Sequence, residues 1–137
     1  MDSMNSNSQE MWDSRFSKRI YAYGKQPNAF FAKELDKIKS AGILLPGEGE
    51  GRNAVYALKK GWNVIAFDQS KKGREKALAL AEENGVTLDF NIADANLFQC
   101  PVLVDVVAYS YFHLPSPMAE SVYTGLNTFL TPGGHLI

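Results

Sequence analysis

Residues Ile43 to Val55 read Ile-Leu-Leu-Pro-Gly-Glu-Gly-Glu-Gly-Arg-Asn-Ala-Val, an apolar strand that runs into a three-glycine turn and then a helix. Glycines let the backbone take positive φ and let a ligand come close to the main chain. A strand, glycine turn and helix in succession is the first half of a βαβ unit, which commits the chain to a parallel sheet. Two carboxylates, Glu48 and Glu50, stand inside the turn. They bear on which ligand such a turn can hold.

Strand and helix alternate from there. Gly61 closes a helix over Asn53 to Lys60, and Trp62 to Phe67 forms a second strand ending at Asp68. Ser70 is placed to cap a helix over Lys71 to Glu83, which Asn84-Gly85 terminates. Val86 to Ile92 reads as a third strand and Val102 to Tyr109 as a fourth. Ser116 or Pro117 opens a helix running to Leu130, and Thr131-Pro132-Gly133-Gly134 turns the chain into a fifth strand at His135-Leu136-Ile137. Upstream, Trp12, Phe16 and Ile20 recur at helical spacing, giving a short helix from Met11 to Arg19. Asn28 can cap a helix over Ala29 to Lys39, with Gly42 ending it. Continuous apolar strands alternating with helices predict a Rossmann-like, doubly wound α/β fold, its mainly parallel sheet covered by helices on both faces.

Composition narrows the function classes. At 137 residues and 15.2 kDa the chain is one domain's worth. We read residues 1–10 as a polar, Ser/Asn-rich tail and 11–137 as a single domain. A net charge of −1 with interspersed signs argues against a nucleic-acid or membrane-surface binder. One cysteine, Cys100, gives no disulfide framework and, with His113 and His135, no metal-ligand cluster. No apolar run is long enough to span a bilayer, and the first ten residues lack the apolar core of a signal peptide. The expected setting is cytoplasmic, with a small-molecule substrate and no metal.

The turn admits two ligand readings. Gly49-Glu50-Gly51-Arg52-Asn53-Ala54 matches the G-x-G-x-x-A pattern of dinucleotide sites, and Asp68 stands where a carboxylate would accept from ribose hydroxyls. Pyrophosphate binding, however, relies on bare backbone N–H groups at a helix N-terminus. Carboxylates in the turn oppose it by about 1 to 4 kcal/mol per close charge pair. An adenosine ligand with a positive charge and no phosphate, such as S-adenosylmethionine (SAM), suits the acidic turn better. Arg52 would pair with the carboxylate of such a ligand or with Glu48. The plain alternative is a solvated turn whose glutamates cap the helix.

With those residues in view, the chain resembles the class I SAM-dependent methyltransferases, and within them the tellurite-resistance and thiol-methyltransferase-like group. The resemblance runs from Trp12 onward. It rests on Trp12-Asp13-Ser14-Arg15-Phe16, Tyr23-Gly24-Lys25-Gln26-Pro27-Asn28 and Gly47-Glu48-Gly49-Glu50-Gly51-Arg52-Asn53-Ala54-Val55. It continues in Ala66-Phe67-Asp68-Gln69-Ser70 with Gly73 and Lys76-Ala77, in Ala93-Asp94-Ala95, in Phe112-His113-Leu114-Pro115 and in Thr131-Pro132-Gly133-Gly134. Each segment is weak alone; their order and spacing make the match. The resemblance implies that Gly47, Glu48 and Gly49 wrap the methionine part of SAM, that Asp68 holds the ribose and that Gln69 flanks the adenine. It implies further that Asp94, with Ala95, reads the adenine edge, and that Ser110 to Phe112 border the sulfonium and the substrate.

Asp94 follows the third strand, where a turn cap is as good a reading as a ligand contact. His113 is the candidate catalytic residue, at the substrate mouth, although a turn histidine bonded to backbone is the commoner case. His135 reads as structural. Trp12, Tyr21 and Tyr23 would form either an aromatic lid over the cofactor or packing for the amino-terminal helix, Trp12 fitting the packing role better. Cys100 beside Pro101 reads as an inert thiol, and Lys71, Lys72 and Arg74 as a solvated helix face.

Methyl transfer from a sulfonium proceeds by in-line attack, so proximity and orientation can supply most of the catalysis. A thiolate, or a selenium or tellurium oxyanion, needs little help from a base, in keeping with the lack of an obvious one. Members of the resembled class continue past the Pro-Gly-Gly turn for two more strands, whereas this sequence stops at Ile137; we therefore expect a domain truncated at its fifth strand. The expected alternatives to an active enzyme are a non-catalytic SAM-binding module or truncated remnant, and a small NAD-binding domain. A homodimer through the exposed sheet edge would cover its unpaired backbone groups.

Overall fold

The computed structural model describes residues 24–109 and 118–137. The expected helix over Met11 to Arg19, the aromatic residues Trp12, Tyr21 and Tyr23, and the segment holding Ser110, His113, Ser116 and Pro117 lie outside the described residues. Within them the elements run α1 (Ala29–Leu35), β1 (Gly42–Pro46), α2 (Arg52–Lys59), β2 (Asn63–Asp68), α3 (Lys71–Glu83), β3 (Asp89–Ile92), β4 (Val104–Val107), α4 (Met118–Asn127) and β5 (Leu130–Leu136). The strands form one sheet in the order β3-β2-β1-β4-β5, and every pairing is parallel. The order reverses beside β1, since the chain moves outward through β2 and β3 and then returns to place β4 on the other flank of β1. That reversal is the switch point at which ligands bind in open α/β sheets.

Alternation along β1 shows how the two faces are filled. Ile43 and Leu45 join the core beneath α1, α2 and α3, with Phe31 and Leu35 from α1, Ala54 and Ala57 from α2, and Ala77 and Leu80 from α3. Leu44 points the other way, into a second core with Phe67, Val104 and Val107 and with Val122 and Leu126 of α4. The doubly wound α/β architecture predicted from strand and helix alternation is therefore present. Helix α1 has only seven residues, too few to be stable alone. Complete burial of Phe31 and Leu35, about 1.5–3 kcal/mol each, holds it to the sheet.

Local signals placed most boundaries. Asn28 caps α1 through Phe31 N–H, and Ser70 caps α3 through Gly73 N–H, both at 3.0 Å. Gly61 and Gly85 take positive φ just past α2 and α3, as their positions predict. The differences come from tertiary contacts. Helix α1 stops at Leu35 rather than Lys39, and Gly42 ends no helix: it opens β1, its N–H donating to Asp105 Oδ2 at 3.1 Å. Val86 lies in the turn that closes α3, its N–H reaching back to the Ala81 carbonyl, and β3 starts only at Asp89. Helix α4 ends at Asn127, and Leu130 is already in β5. The Thr131-Pro132-Gly133-Gly134 turn is a bulge within β5: Val104 pairs with Leu130 but Val106 with His135. Gly134 makes this possible, because a β-carbon there would stand 3.0 Å from the Asp105 and Thr131 carbonyl oxygens.

Candidate functional site

The glycine turn leaves the carboxyl end of β1 and is fixed by backbone bonds before any ligand is considered. Gly47 and Gly49 have φ of 62° and 66°. Glycine enters that left-handed region without strain. Glu48 N–H donates to the Phe67 carbonyl at 3.1 Å, which ties the turn to the end of β2. Gly51 N–H donates to the Glu48 carbonyl at 3.4 Å and closes the turn. Gly51 then stands as the first residue before α2 and provides no side-chain cap.

Glu48 supplies that cap. Its Oε2 accepts from Ala54 N–H at 2.7 Å, and the Asn53 N–H also favours its charged form. Even so, burial pushes the Glu48 carboxyl up from 4.5 to about 8, against the lowering effects of those two N–H groups and of Arg52; Asp68 adds a smaller upward push. The residue as a whole keeps part of its surface in solvent. A dry carboxylate of this kind gains most from a cation placed beside it.

Glu50 does something different. It is 4% exposed and forms an ion pair with Lys76 of α3 at 2.9 Å. Both carboxylates of the turn were expected to oppose a pyrophosphate by charge; Glu50 is instead paired with Lys76, and burial favours the neutral form of Glu48 in the free chain. The stronger opposition comes from the backbone. The N–H groups of Glu48, Gly49, Gly51 and Ala54 all donate within the chain, so a phosphate would find few bare donors here.

Asp68, the last residue of β2, spans the turn and the next helix. Its Oδ2 accepts from Gly49 N–H at 2.9 Å and its Oδ1 from Ser70 N–H at 3.0 Å. Its carbonyl accepts from Ala93 N–H at 3.0 Å, which brings the end of β3 alongside. Asp94 follows, with Oδ1 accepting from Asn96 N–H at 2.9 Å in a local turn. Its carbonyl takes the Phe98 N–H at 3.0 Å, and the Phe98 ring stacks on Phe67 with centroids 4.4 Å apart. Gln69 and Ala95 are half-buried, Ala95 against the second core.

Of the residues expected to hold a cofactor, Gly47, Glu48, Gly49, Asp68, Gln69, Asp94 and Ala95 thus gather at the carboxyl ends of β1, β2 and β3. Asp94 also performs the turn-capping role weighed for it. Ser110 and the candidate catalytic His113 lie outside the described residues. Sequence reasoning missed Phe98, four positions after Asp94, and gave Asn53 no role; its side chain ties the turn to the segment before α1. Lys71 and Lys72 are exposed as expected, but Arg74 donates from Nε to the Phe90 carbonyl at 2.8 Å and braces β3. Burial pushes the Cys100 thiol up, which disfavours its thiolate form.

Comparison with known proteins gives a consistent result. A family model described as a methyltransferase domain matches residues 43–134. No curated protein matches the sequence. Among solved structures, the DhpI–SAM–HEP complex superposes with a TM-score of 0.73 at 18% identity, over 99% of this chain and 65% of that one. A SAM-dependent methyltransferase from Thiobacillus denitrificans, in complex with S-adenosyl-L-homocysteine, gives 0.71 at 20% identity, over 92% and 53%. TehB from Haemophilus influenzae gives 0.73 at 15% identity, over 93% and 43%. At these identities the likeness establishes the fold. The chain spans between 43% and 65% of the length of these three structures.

Proposed function

The chain belongs to the methyltransferase domain family, and on that premise we propose that it is a SAM-dependent methyltransferase acting on a small soft nucleophile, a thiol or a selenium or tellurium oxyanion. The observation that carries the cofactor half of this reading is the enclosed Glu48 carboxylate beside the Asp68 carboxylate, at the carboxyl ends of adjacent strands. The donor chemistry fits SAM, which brings an ammonium and a sulfonium and no phosphate. It fits NAD poorly, since a pyrophosphate would find the amides of the turn already engaged.

Gly47 and Gly49 would let the methionine end approach the main chain, and Glu48 would lie beside its ammonium. Each oxygen of a carboxylate accepts more than one bond, so Asp68 can take ribose hydroxyls as well as the two backbone donors that hold it in place. SAM, when bound, supplies an electrophilic methyl group. The chain's part is to orient the cofactor and exclude water from the methyl carbon. At the carboxyl end of β4, the described titratable side chain is Tyr109, whose hydroxyl burial pushes up to about 12. It donates to Asn127 at 2.8 Å and is no base at neutral pH. A nucleophile that arrives already ionised, or that is polarisable enough to need no deprotonation, makes no demand on Tyr109.

Isothermal titration with S-adenosylhomocysteine and with NAD tests the cofactor. Micromolar binding of the first and none of the second is expected; the reverse overturns the reading. Methyl transfer to a panel of thiols, selenite and tellurite tests the acceptor. Turnover confined to oxygen or nitrogen nucleophiles would overturn the soft-nucleophile part alone.

A further inference from the structure

Residues 24–28 lie across the amino end of α2, the helix end that also holds the Glu48 carboxylate. Two side chains of α2 fix them there. Arg52 donates from Nη1 to the Gln26 carbonyl at 3.3 Å, and Asn53 Oδ1 accepts from Asn28 N–H at 2.8 Å. Asn53 is only 3% exposed, so this bond is costly to leave unmade. The Lys25–Glu83 pair, at 3.2 Å, is exposed. Such a pair adds little. Asn28 then passes the constraint on, its Oδ1 capping α1. The backbone N–H of Asn53 bonds Glu48. A single buried residue therefore touches both the 24–28 segment and the acid of the glycine turn.

We propose that Gly24 to Asn28 form a strap that walls the methionine end of the cofactor site, and that Asn53 is the positioning residue holding strap and Glu48 in register. The proposal rests on the cofactor reading above. It assigns the strap to one end of the ligand: the amino-acid end, beside Glu48, and not the adenosine end, beside Asp68 and Asp94. Loosening the strap must then weaken a ligand that has the amino-acid end and spare one that lacks it. A merely structural latch would weaken both alike.

Asn28 has φ of −58° and ψ of 131°. Proline takes those angles without strain, and so allows a direct test. Asn28→Ala removes the side-chain cap of α1 but keeps the N–H to Asn53; Asn28→Pro removes both. Calorimetry on the full chain with S-adenosylhomocysteine and with 5′-methylthioadenosine, which lacks the amino-acid end, separates the effects. Asn28→Pro should weaken the first about tenfold relative to Asn28→Ala and leave the second within about twofold, one hydrogen bond of this kind being worth roughly a factor of ten. Equal losses for both ligands, or no loss for the first, overturn the proposal. Hydrogen exchange on the unaltered chain gives a second measurement that no variant's folding can compromise. The Asn28 amide should exchange more slowly with S-adenosylhomocysteine and not with 5′-methylthioadenosine, and unchanged exchange with the former bound overturns the strap. If neither ligand binds the unaltered chain, the cofactor reading falls and the strap with it; binding without the differential sinks the strap alone.

Discussion

Gly51 packs so closely against Ala77 of α3 that a β-carbon at position 51 would lie 2.6 Å from the Ala77 β-carbon and 2.8 Å from its α-carbon. Gly51 also has φ of +87°. A side chain is strained there whatever the space. The third glycine of the turn thus lets α2 and α3 approach, and thereby sets where Glu48 and Gly49 lie. Gly51→Ala should destabilise the chain by about 2–4 kcal/mol, strain and overpacking acting together. Chemical denaturation measures it. Adding Ala77→Gly removes the contact with the β-carbon but leaves the Ala77 α-carbon at 2.8 Å, so it should recover only part of the loss; a Gly51→Ala variant as stable as the parent would contradict the close approach.

The two glutamates of the turn should separate in experiment as they do in space. Glu50 has Lys76 at 2.9 Å with both side chains largely buried. Removing Lys76 takes the nearest cation from a buried carboxylate, so Lys76→Met should cost up to about 3–5 kcal/mol, while the double change Glu50→Leu with Lys76→Met should cost less. Glu48→Gln should cost little stability, because burial already favours the neutral carboxyl there. Affinity should follow the opposite order. S-adenosylhomocysteine binding should fall about tenfold or more in Glu48→Gln and by less than about threefold in a folded Glu50→Gln variant, given the value of a buried charge-assisted contact.

That contrast also marks how far the sequence could be read. The strand, glycine turn, helix and second strand were legible because their signals are local: Gly61, Ser70 and Asn84-Gly85 act on backbone within a few residues. Placing Glu48, Asp68 and Asp94 together followed from the rule that sites lie at the carboxyl ends of parallel strands. The direction of Glu50 was not legible, since Lys76 is 26 positions away on another helix and no spacing rule pairs them. Nor was the end of α1, where the carboxylate of Asp36 takes the Tyr56 hydroxyl at 2.7 Å. Asn53 was hidden for the same reason: inside a turn motif it looks like a spacer, and only the fold brings Asn28 to it.

Asp94 carries a local turn, and a ligand role can be tested without breaking it. Asp94→Asn keeps an acceptor for the Asn96 N–H, so stability should change by less than about 0.5 kcal/mol. If the carboxylate also accepts from the exocyclic amine of adenine, affinity for S-adenosylhomocysteine should fall about three- to tenfold, the value of a hydrogen bond to a charged group set against a neutral one. Affinity for an inosine analogue lacking that amine should be weak in the parent and unchanged by the substitution. An unaltered affinity for S-adenosylhomocysteine would leave Asp94 as a turn residue only.

Glu48 should give the site a pH dependence with opposite signs for folding and for binding. Its carboxyl titrates near 4.5 when unfolded and at about 8 in the folded chain, raised chiefly by burial. The folded state therefore binds the proton more tightly, so its contribution to stability is complete below the lower value and is lost as pH rises through the upper one. Between the two, the free protein should lose up to a few kcal/mol, and the melting temperature should decline from about pH 5 to about pH 8. A ligand ammonium favours the ionised carboxylate, so affinity for S-adenosylhomocysteine should instead rise over the same interval. Near pH 7 binding should release up to about one proton, measurable as a dependence of the binding enthalpy on the ionisation enthalpy of the buffer. Glu48→Gln should flatten both pH profiles and abolish the proton release. A parent chain whose affinity and melting temperature rise together over that interval would overturn the raised Glu48 titration.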